Sequence, residues 1–281
     1  MLYCLGDDKL RSKNELILKA RCPMKKLLMS FAVALLTPSV MAQSKLAFDG
    51  PYVGFSLGYN QTSVGEGVAS AYYPPNNPAV FPGTFSILNG SNSSSGGFTE
   101  GLNFGYDHRI GNFVIGGEIG ASLLQGTANG FVGSGGYGEG YTYPNTPVAS
   151  STQLKSLYVA KPKVGYAFDF LEKQTMVYAM GGLAMGTITR TLTDKSVIYN
   201  LPNWYTNSPS STQNSFGYTL GAGLEAMLTE KLSMKFEFNY VNLGNINFTY
   251  NNAAFLGGSA NTTQSVQITN IATTLGLSYK F

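Results

Sequence analysis

Six ionisable side chains stand where chemistry could be done: Glu118, Lys161, Lys163, Glu225, Lys235 and Glu237. Each falls on the small, polar side of a segment that alternates between large apolar and small residues, so all six point the same way. Three carboxylates opposite three ammonium groups allow proton exchange between an acid and a base, a charged path for small solutes, or ion pairs that stiffen an interior. Water decides among these, because a charge away from water must be paired or hydrated.

Other chemical patterns are thinner. Gly133-x-Gly135-x-x-Gly138 and Gly221-x-Gly223-x-x-Ala226 fit a dinucleotide fingerprint, which works only between a buried strand and a helix. The first lies in a polar stretch with neither. The second places glycine on alternate residues, as a strand would, although GLEAMLTEKL (223–232) carries some helix propensity. His108 is the single histidine, next to an expected turn and with no serine or carboxylate at a triad-like spacing. It reads as a solvated turn residue. Beyond residue 42 there is no cysteine, so a zinc site lacks ligands. No catalytic residue, metal or cofactor is expected.

The elements that hold the six charges are strands. Alternation is clear at Pro51–Gln61, Gly97–Asp107, Asn112–Leu124, Leu154–Phe168, Ser215–Met227, Lys231–Asn242 and Ile268–Phe281. An eighth, Thr175–Thr189, is apolar in both parities, which leaves its facing open. On the apolar side stand Val53, Phe55, Leu57 and Tyr59 in the first strand, and Met234, Phe236, Phe238 and Tyr240 in Lys231–Asn242. Glu100 falls on that same side, which a membrane tolerates only near its rim. Pro162 also falls there and cannot donate to a ladder, so a bulge is expected.

Short connections near 108–111, 169–174 and 228–230 alternate with long ones at 62–96, 125–153, 190–214 and 243–267. Long loops inside a compact soluble domain would count against such an assignment. Short turns at one end and long loops at the other belong to a transmembrane barrel. Strands of about 10–14 residues cover the ~9–11 needed to cross at a tilt, and lipid requires the sheet to close. The fold class expected is therefore all-β: an eight-stranded antiparallel up-and-down barrel with long extracellular loops. A soluble β-sandwich is the alternative, but it gives no reason for the loop alternation. In an eight-stranded barrel the interior is just wide enough for side chains to fill. The leading reading of the six charges is thus a salt-bridged lumen, and the runner-up is a narrow porin-like path for small solutes.

Composition agrees. Charged residues are 12% of the 281, aromatics 13%, and 34 residues are glycine, against about 25% charge and 7% glycine in soluble domains. The net charge of +3 divides into +4 before residue 43 and −1 after it, so the basic excess is no argument for nucleic acid. That leader has Lys25-Lys26, the apolar run Leu27–Leu36, Pro38 and Val40-Met41-Ala42. It has the layout of a secretory signal, with cleavage between Ala42 and Gln43; a short buried helix is the alternative. The organisation expected is an upstream extension (1–23), a signal peptide from Met24 (24–42) and the barrel (43–281). Cys4 and Cys22 both precede the cleavage point, and Cys22 precedes the apolar run, so it is no lipoprotein cysteine. The exported part does without disulfides.

Four phrases in order resemble the small outer-membrane β-barrel family of outer-membrane immunogenic proteins and opacity-like surface antigens. They are FDGPYVGFSLGY (48–59), GGFTEGLNFGYDHRIGNFVIGGE (96–118), KPKVGYAFDF…VYAMGGLAMG (161–186) and GAGLEAML…SMKFEFNYVNLG (221–244). Lysines replace the family's arginines at 161 and 163. The resemblance implies an eight-stranded barrel in a Gram-negative outer membrane, a surface antigen or presumed porin, and no particular activity. Thr274-x-Gly276-x-x-Tyr279-x-Phe281 resembles the signal read by the outer-membrane assembly machinery, which would pair this strand with its own open edge. Partners expected are thus the bilayer, that machinery, and a host or surface ligand at the loops. Tyr72, Tyr73, Phe81, Tyr199, Trp204 and Tyr205 in those loops would either bind such a ligand or fold back on the rim.

Overall fold

The computed structural model describes residues 47–73, 83–87, 90–132, 148–196, 205–255 and 258–281. The leader with Ala42 and Gln43, the Gly133–Gly138 pattern, and Phe81, Tyr199 and Trp204 lie outside them. Tyr72, Tyr73 and Tyr205 lie on strand backbone.

Eight long strands form the wall: β1 Gly50–Tyr73, β2 Ser93–Ile110, β3 Phe113–Leu124, β4 Val148–Phe170, β5 Lys173–Ser196, β6 Ser210–Met227, β7 Leu232–Phe255 and β8 Gly258–Lys280. Each is antiparallel to its neighbours, and β8 pairs back onto β1 from Tyr52↔Lys280 to Tyr72↔Asn261. The ring is closed, as lipid demands. Short strands Gly83–Ile87, Ala128–Val132 and Tyr205–Asn207 flank β1, β4 and β5.

The facing follows the alternation. Phe55, Leu57, Tyr59, Phe236 and Phe238 are exposed on the outer wall, as are Phe113, Ile115 and Ile119. Glu100 is exposed there too, between Leu57 and Leu123 in the register. The small residues turn inward because the narrow barrel needs the space. A Cβ at Gly105 would collide with the Tyr52 ring that lies across it.

Two expectations are corrected. First, the strands reach 24 residues rather than 10–14, since much of each expected loop is strand. At ~3.3 Å per residue that length is roughly 80 Å, far more than the ~30 Å hydrocarbon core. The complete ring ends near Val64↔Ser93, Leu123↔Ser156 and Asn242↔Tyr218. Above it the sheet continues as β4–β5–β6 and β7–β8–β1 ribbons. Second, Pro162 causes no bulge. Its register with Gly117 on β3 is unbroken, and on β5 pairing lapses only between Ala160↔Leu183 and Lys163↔Met180 with no shift. The bulge of β4 lies instead between Leu154 and Ser156. Residues 223–227 are strand, as the alternation over Ser215–Met227 predicts, and the helix propensity of the stretch is overridden by its place in the wall.

The facing of β5 is now fixed: Met176, Tyr178, Met180, Ala184, Ile188 and Arg190 are buried inward, while Val177 and Leu183 are exposed. Its two apolar parities have a plain cause, since much of the lumen it faces is itself apolar. The turn after β4 holds Leu171 and Glu172 at φ of 48° and 60°, the two-residue hairpin geometry that matches strand twist.

Candidate functional site in the barrel lumen

The six charges chosen from the sequence all face the lumen and are all buried. They do not pair as three isolated couples. Glu118 is shared: Lys161 Nζ is 3.1 Å from one oxygen and Lys235 Nζ 3.0 Å from the other. That second oxygen also accepts from Tyr52 Oη at 2.9 Å and Asn103 Nδ2 at 2.7 Å. Glu237 takes Tyr178 Oη at 2.7 Å and has Lys161 at 3.6 Å. Glu225 accepts from Ser233 Oγ at 2.6 Å, with Lys163 only at 3.9 Å.

Two further charges complete the set. Lys163 Nζ sits 2.9 Å from Asp107, and Lys280 Nζ lies 3.4 Å from Asp107 and 3.5 Å from Glu225. The network is four ammonium groups on four carboxylates rather than three on three. Both additions were available from parity, because Asp107 follows Gly101, Asn103 and Gly105, and Lys280 follows Gly276 and Ser278. Lys235 also stands 4.0 Å over the Tyr52 ring centroid, a cation–π contact.

Above these charges is a layer that sequence reading missed. Val64, Leu154, Ile188, Leu243, Phe248 and Val266 form one buried apolar cluster between the strands. A bulge between Asn242 and Asn245 re-aims β7, with Gly244 at φ +70°, so that Ile246 and Phe248 stay inward. Above that layer Glu66 and Arg190 pair at 2.6 Å, and Gln264 and Thr152 close around them.

At the opposite end Phe48 is fully buried against Val114, Ala167, Met176 and Met227. His108 is exposed at the end of β2 and lies 3.2 Å from Asp49. Among the described residues no group of three or more His, Cys, Asp or Glu could hold a metal. The C-terminal residues split by parity. Thr274 and Gly276 face the lumen, opposite Gly58 and Ser56. Tyr279 and Phe281 turn outward, their rings edge to face at 5.5 Å.

This lumen can store charge in a fixed network: the carboxylate oxygens are held by lysine, tyrosine, serine or asparagine, except Glu225 Oε2, which is buried with no hydrogen-bond partner and has Lys163 Nζ at 3.9 Å. Acid–base work on a substrate would need an open position beside a free carboxylate.

The family model that matches the chain agrees with this architecture. Residues 30–281 match the family described as "Outer membrane protein beta-barrel domain". The chain is 26% identical over 247 residues to the 31 kDa outer-membrane immunogenic proteins of Brucella melitensis biotype 1 and Brucella suis biovar 1, covering 87% of this chain and 88% of each relative. Among solved structures it is similar to OprG from Pseudomonas aeruginosa, at TM-score 0.46 and 14% identity, over 85% of this chain and 99% of that one. It is also similar to Ail of Yersinia pestis, at TM-score 0.34 and 13% identity, over 83% and 99%. The chain therefore belongs to the outer-membrane β-barrel domain family, in the outer membrane of a Gram-negative bacterium.

Proposed function

We propose that this protein is a structural, surface-presenting barrel with a closed lumen, antigenic through its extracellular strands and loops, and not an enzyme. The observation that carries the reading is the apolar layer of Leu154, Ile188, Leu243 and Phe248 stacked on the charge network. A hydrated ion cannot cross such a layer without shedding water, and hydrophobic constrictions block conduction by dewetting. The name of the Brucella relatives, immunogenic protein, fits a surface exposed to a host. Adhesion to a host or surface ligand would fall to the loops. Residues 24–42 would serve as the signal peptide and the last strand would engage the assembly machinery.

A second reading has one feature in its favour. The charged half of the lumen contains a cavity of ≈ 70 Å³, as a narrow path for small solutes would. Planar-bilayer conductance of the protein purified folded from outer membranes decides between them. The closed-lumen reading expects a quiet baseline; steady unitary current with ion selectivity would defeat it.

A further inference from the structure

The cavity in the charged half of the lumen has Asn239, Asn270 and Ser278 on its wall. Each carries a polar atom buried without a hydrogen-bond partner: Asn239 Oδ1, Asn270 Oδ1 and Ser278 Oγ. Turning the amides over would not satisfy them. Asn270 Nδ2 already donates to Thr62 Oγ1 at 2.8 Å and Asn60 Oδ1 at 3.2 Å, and Asn239 Nδ2 donates to Glu237 at 3.3 Å. A flip would press each oxygen onto another acceptor. Unsatisfied buried groups are rare and costly, so the cavity calls for an occupant that donates hydrogen bonds.

Charge and size narrow that occupant. Lys161 and Lys235 share the wall with Glu118 and Glu237, and these ammonium and carboxylate groups are already paired with one another. A further ion would unbalance the set, and an unpaired buried charge is very costly. The occupant is therefore neutral and small. A single water needs ~10–15 Å³ on the same scale, so ≈ 70 Å³ admits roughly five. The wall follows β8 from Asn270 to Ser278, which at ~3.3 Å per residue is roughly 26 Å. The void is thus drawn out along the strand.

Both ends are closed. Above stands the apolar layer of Leu154, Ile188, Leu243 and Phe248. On the periplasmic side Tyr52, Asp107, Lys163, Glu225 and Lys280 are buried and tied together, and none of them lines the cavity. Lys163 Nζ donates to Tyr52 Oη at 3.3 Å and to Asp107 at 2.9 Å, while Lys280 bridges Asp107 and Glu225.

We propose that the cavity is a sealed water chamber between the apolar layer and the lower charge layer. Its waters donate to Asn239, Asn270 and Ser278 and solvate the Glu118, Lys161 and Lys235 cluster, so that the charges stay ionised without a path through the barrel. The sealing rests on the closed-lumen reading above, and the hydration does not. Steady unitary current would defeat that reading, whereas a dry cavity would defeat this one.

The test is X-ray radiolysis of full-length protein purified folded from outer membranes, read by mass spectrometry. Hydroxyl radicals made in bulk solvent are consumed before they reach a buried side chain. Radicals made from an internal water oxidise the side chains beside it. Leucines give a like-for-like comparison, because Leu124 and Leu157 line the cavity and Leu154 and Leu243 do not, although all four are buried in the apolar layer. Oxidation of Leu124 and Leu157 should exceed that of Leu154 and Leu243 several-fold. It should also persist in free methionine, a bulk radical scavenger, at a concentration that abolishes labelling of exposed Leu171. Ala272 lies on the cavity wall opposite Asn239 in the register, and Ala272→Ile puts a branched side chain into the void. In that variant, checked for folding by heat-modifiable migration, the signal at Leu124 and Leu157 should fall to that of Leu154. The comparison in the parent protein stands without the variant. Equal oxidation of all four leucines would overturn the hydration. Loss of the Leu124 and Leu157 signal in methionine would overturn the sealing, and an unchanged signal in folded Ala272→Ile would remove the cavity as its source.

Discussion

Glu66 and Arg190 meet at 2.6 Å near the extracellular end of the lumen, tying β1 to β5 across 124 residues of sequence. Both side chains are fully buried, and Gln264 donates to the same Glu66 oxygen at 2.6 Å. Removing one partner strands the other charge, which typically costs ~3–5 kcal/mol, whereas an apolar pair of similar volume is often neutral. Arg190→Met should therefore lower the urea unfolding midpoint in detergent, and adding Glu66→Leu should restore much of it. A double variant no more stable than Arg190→Met would show that the pair is not coupled.

The lower network makes a parallel case. Lys163 holds Asp107 at 2.9 Å and borders Glu225 at 3.9 Å, in a site closed to solvent. Lys163→Met should cost ~3–5 kcal/mol of stability by the same argument and leave conductance negligible. The porin-like reading expects the reverse, with little change in unfolding and a selectivity shift toward cations. Both quantities should be measured on one preparation.

Gly244 offers a test free of side-chain contacts. Its φ is +70° and nothing lies within 4 Å of a Cβ built there, so substitution touches only the backbone. Gly244→Ala should cost ~1–2 kcal/mol and Gly244→Asn less, because Asn tolerates the left-handed region better. If alanine proves as stable as asparagine, the bulge is not what fixes the facing of Ile246 and Phe248.

The wall was legible and the lumen only half so. Strict alternation with Phe, Tyr, Leu and Ile on one side fixed which residues meet lipid, since a period of two maps onto two faces. The same parity placed Glu118, Lys161 and Lys235 inside. It failed wherever the inside is apolar: β5, with Met176, Ile188 and Leu192 inward, shows no contrast between faces. Polar composition beyond Gln61 and Thr189 reads as loop, which hid Glu66 and Arg190 although both continue the inward parity of their strands. Phe48 was hidden differently, because a single aromatic ahead of the first strand has no period.

Processing can be read directly. If Met24–Ala42 is the signal peptide, protein purified from outer membranes should begin at Gln43 and contain neither Cys4 nor Cys22. Intact-mass measurement gives the answer, and an N-terminus upstream of Gln43 would refute the assignment.

The C-terminal strand separates stability from recognition. Tyr279 and Phe281 pack edge to face at 5.5 Å on the outer wall, and the Phe281 amide donates to Pro51 O at 3.1 Å, closing the seam between β8 and β1. An aromatic pair contributes ~0.5–1.5 kcal/mol beyond its area, too little for its loss alone to unfold a barrel. Phe281→Ala should therefore refold in detergent nearly as well as the parent, with an unfolding midpoint only slightly lower. In cells the outcome should differ: if the machinery reads Thr274, Gly276, Tyr279 and Phe281, Phe281→Ala or loss of Tyr279 to Phe281 will cut folded outer-membrane protein several-fold while export continues. The measurement is heat-modifiable, protease-resistant barrel in membranes against total exported chain. Normal folded levels would sink the recognition reading, and an equal defect in vitro and in cells would assign the loss to stability instead.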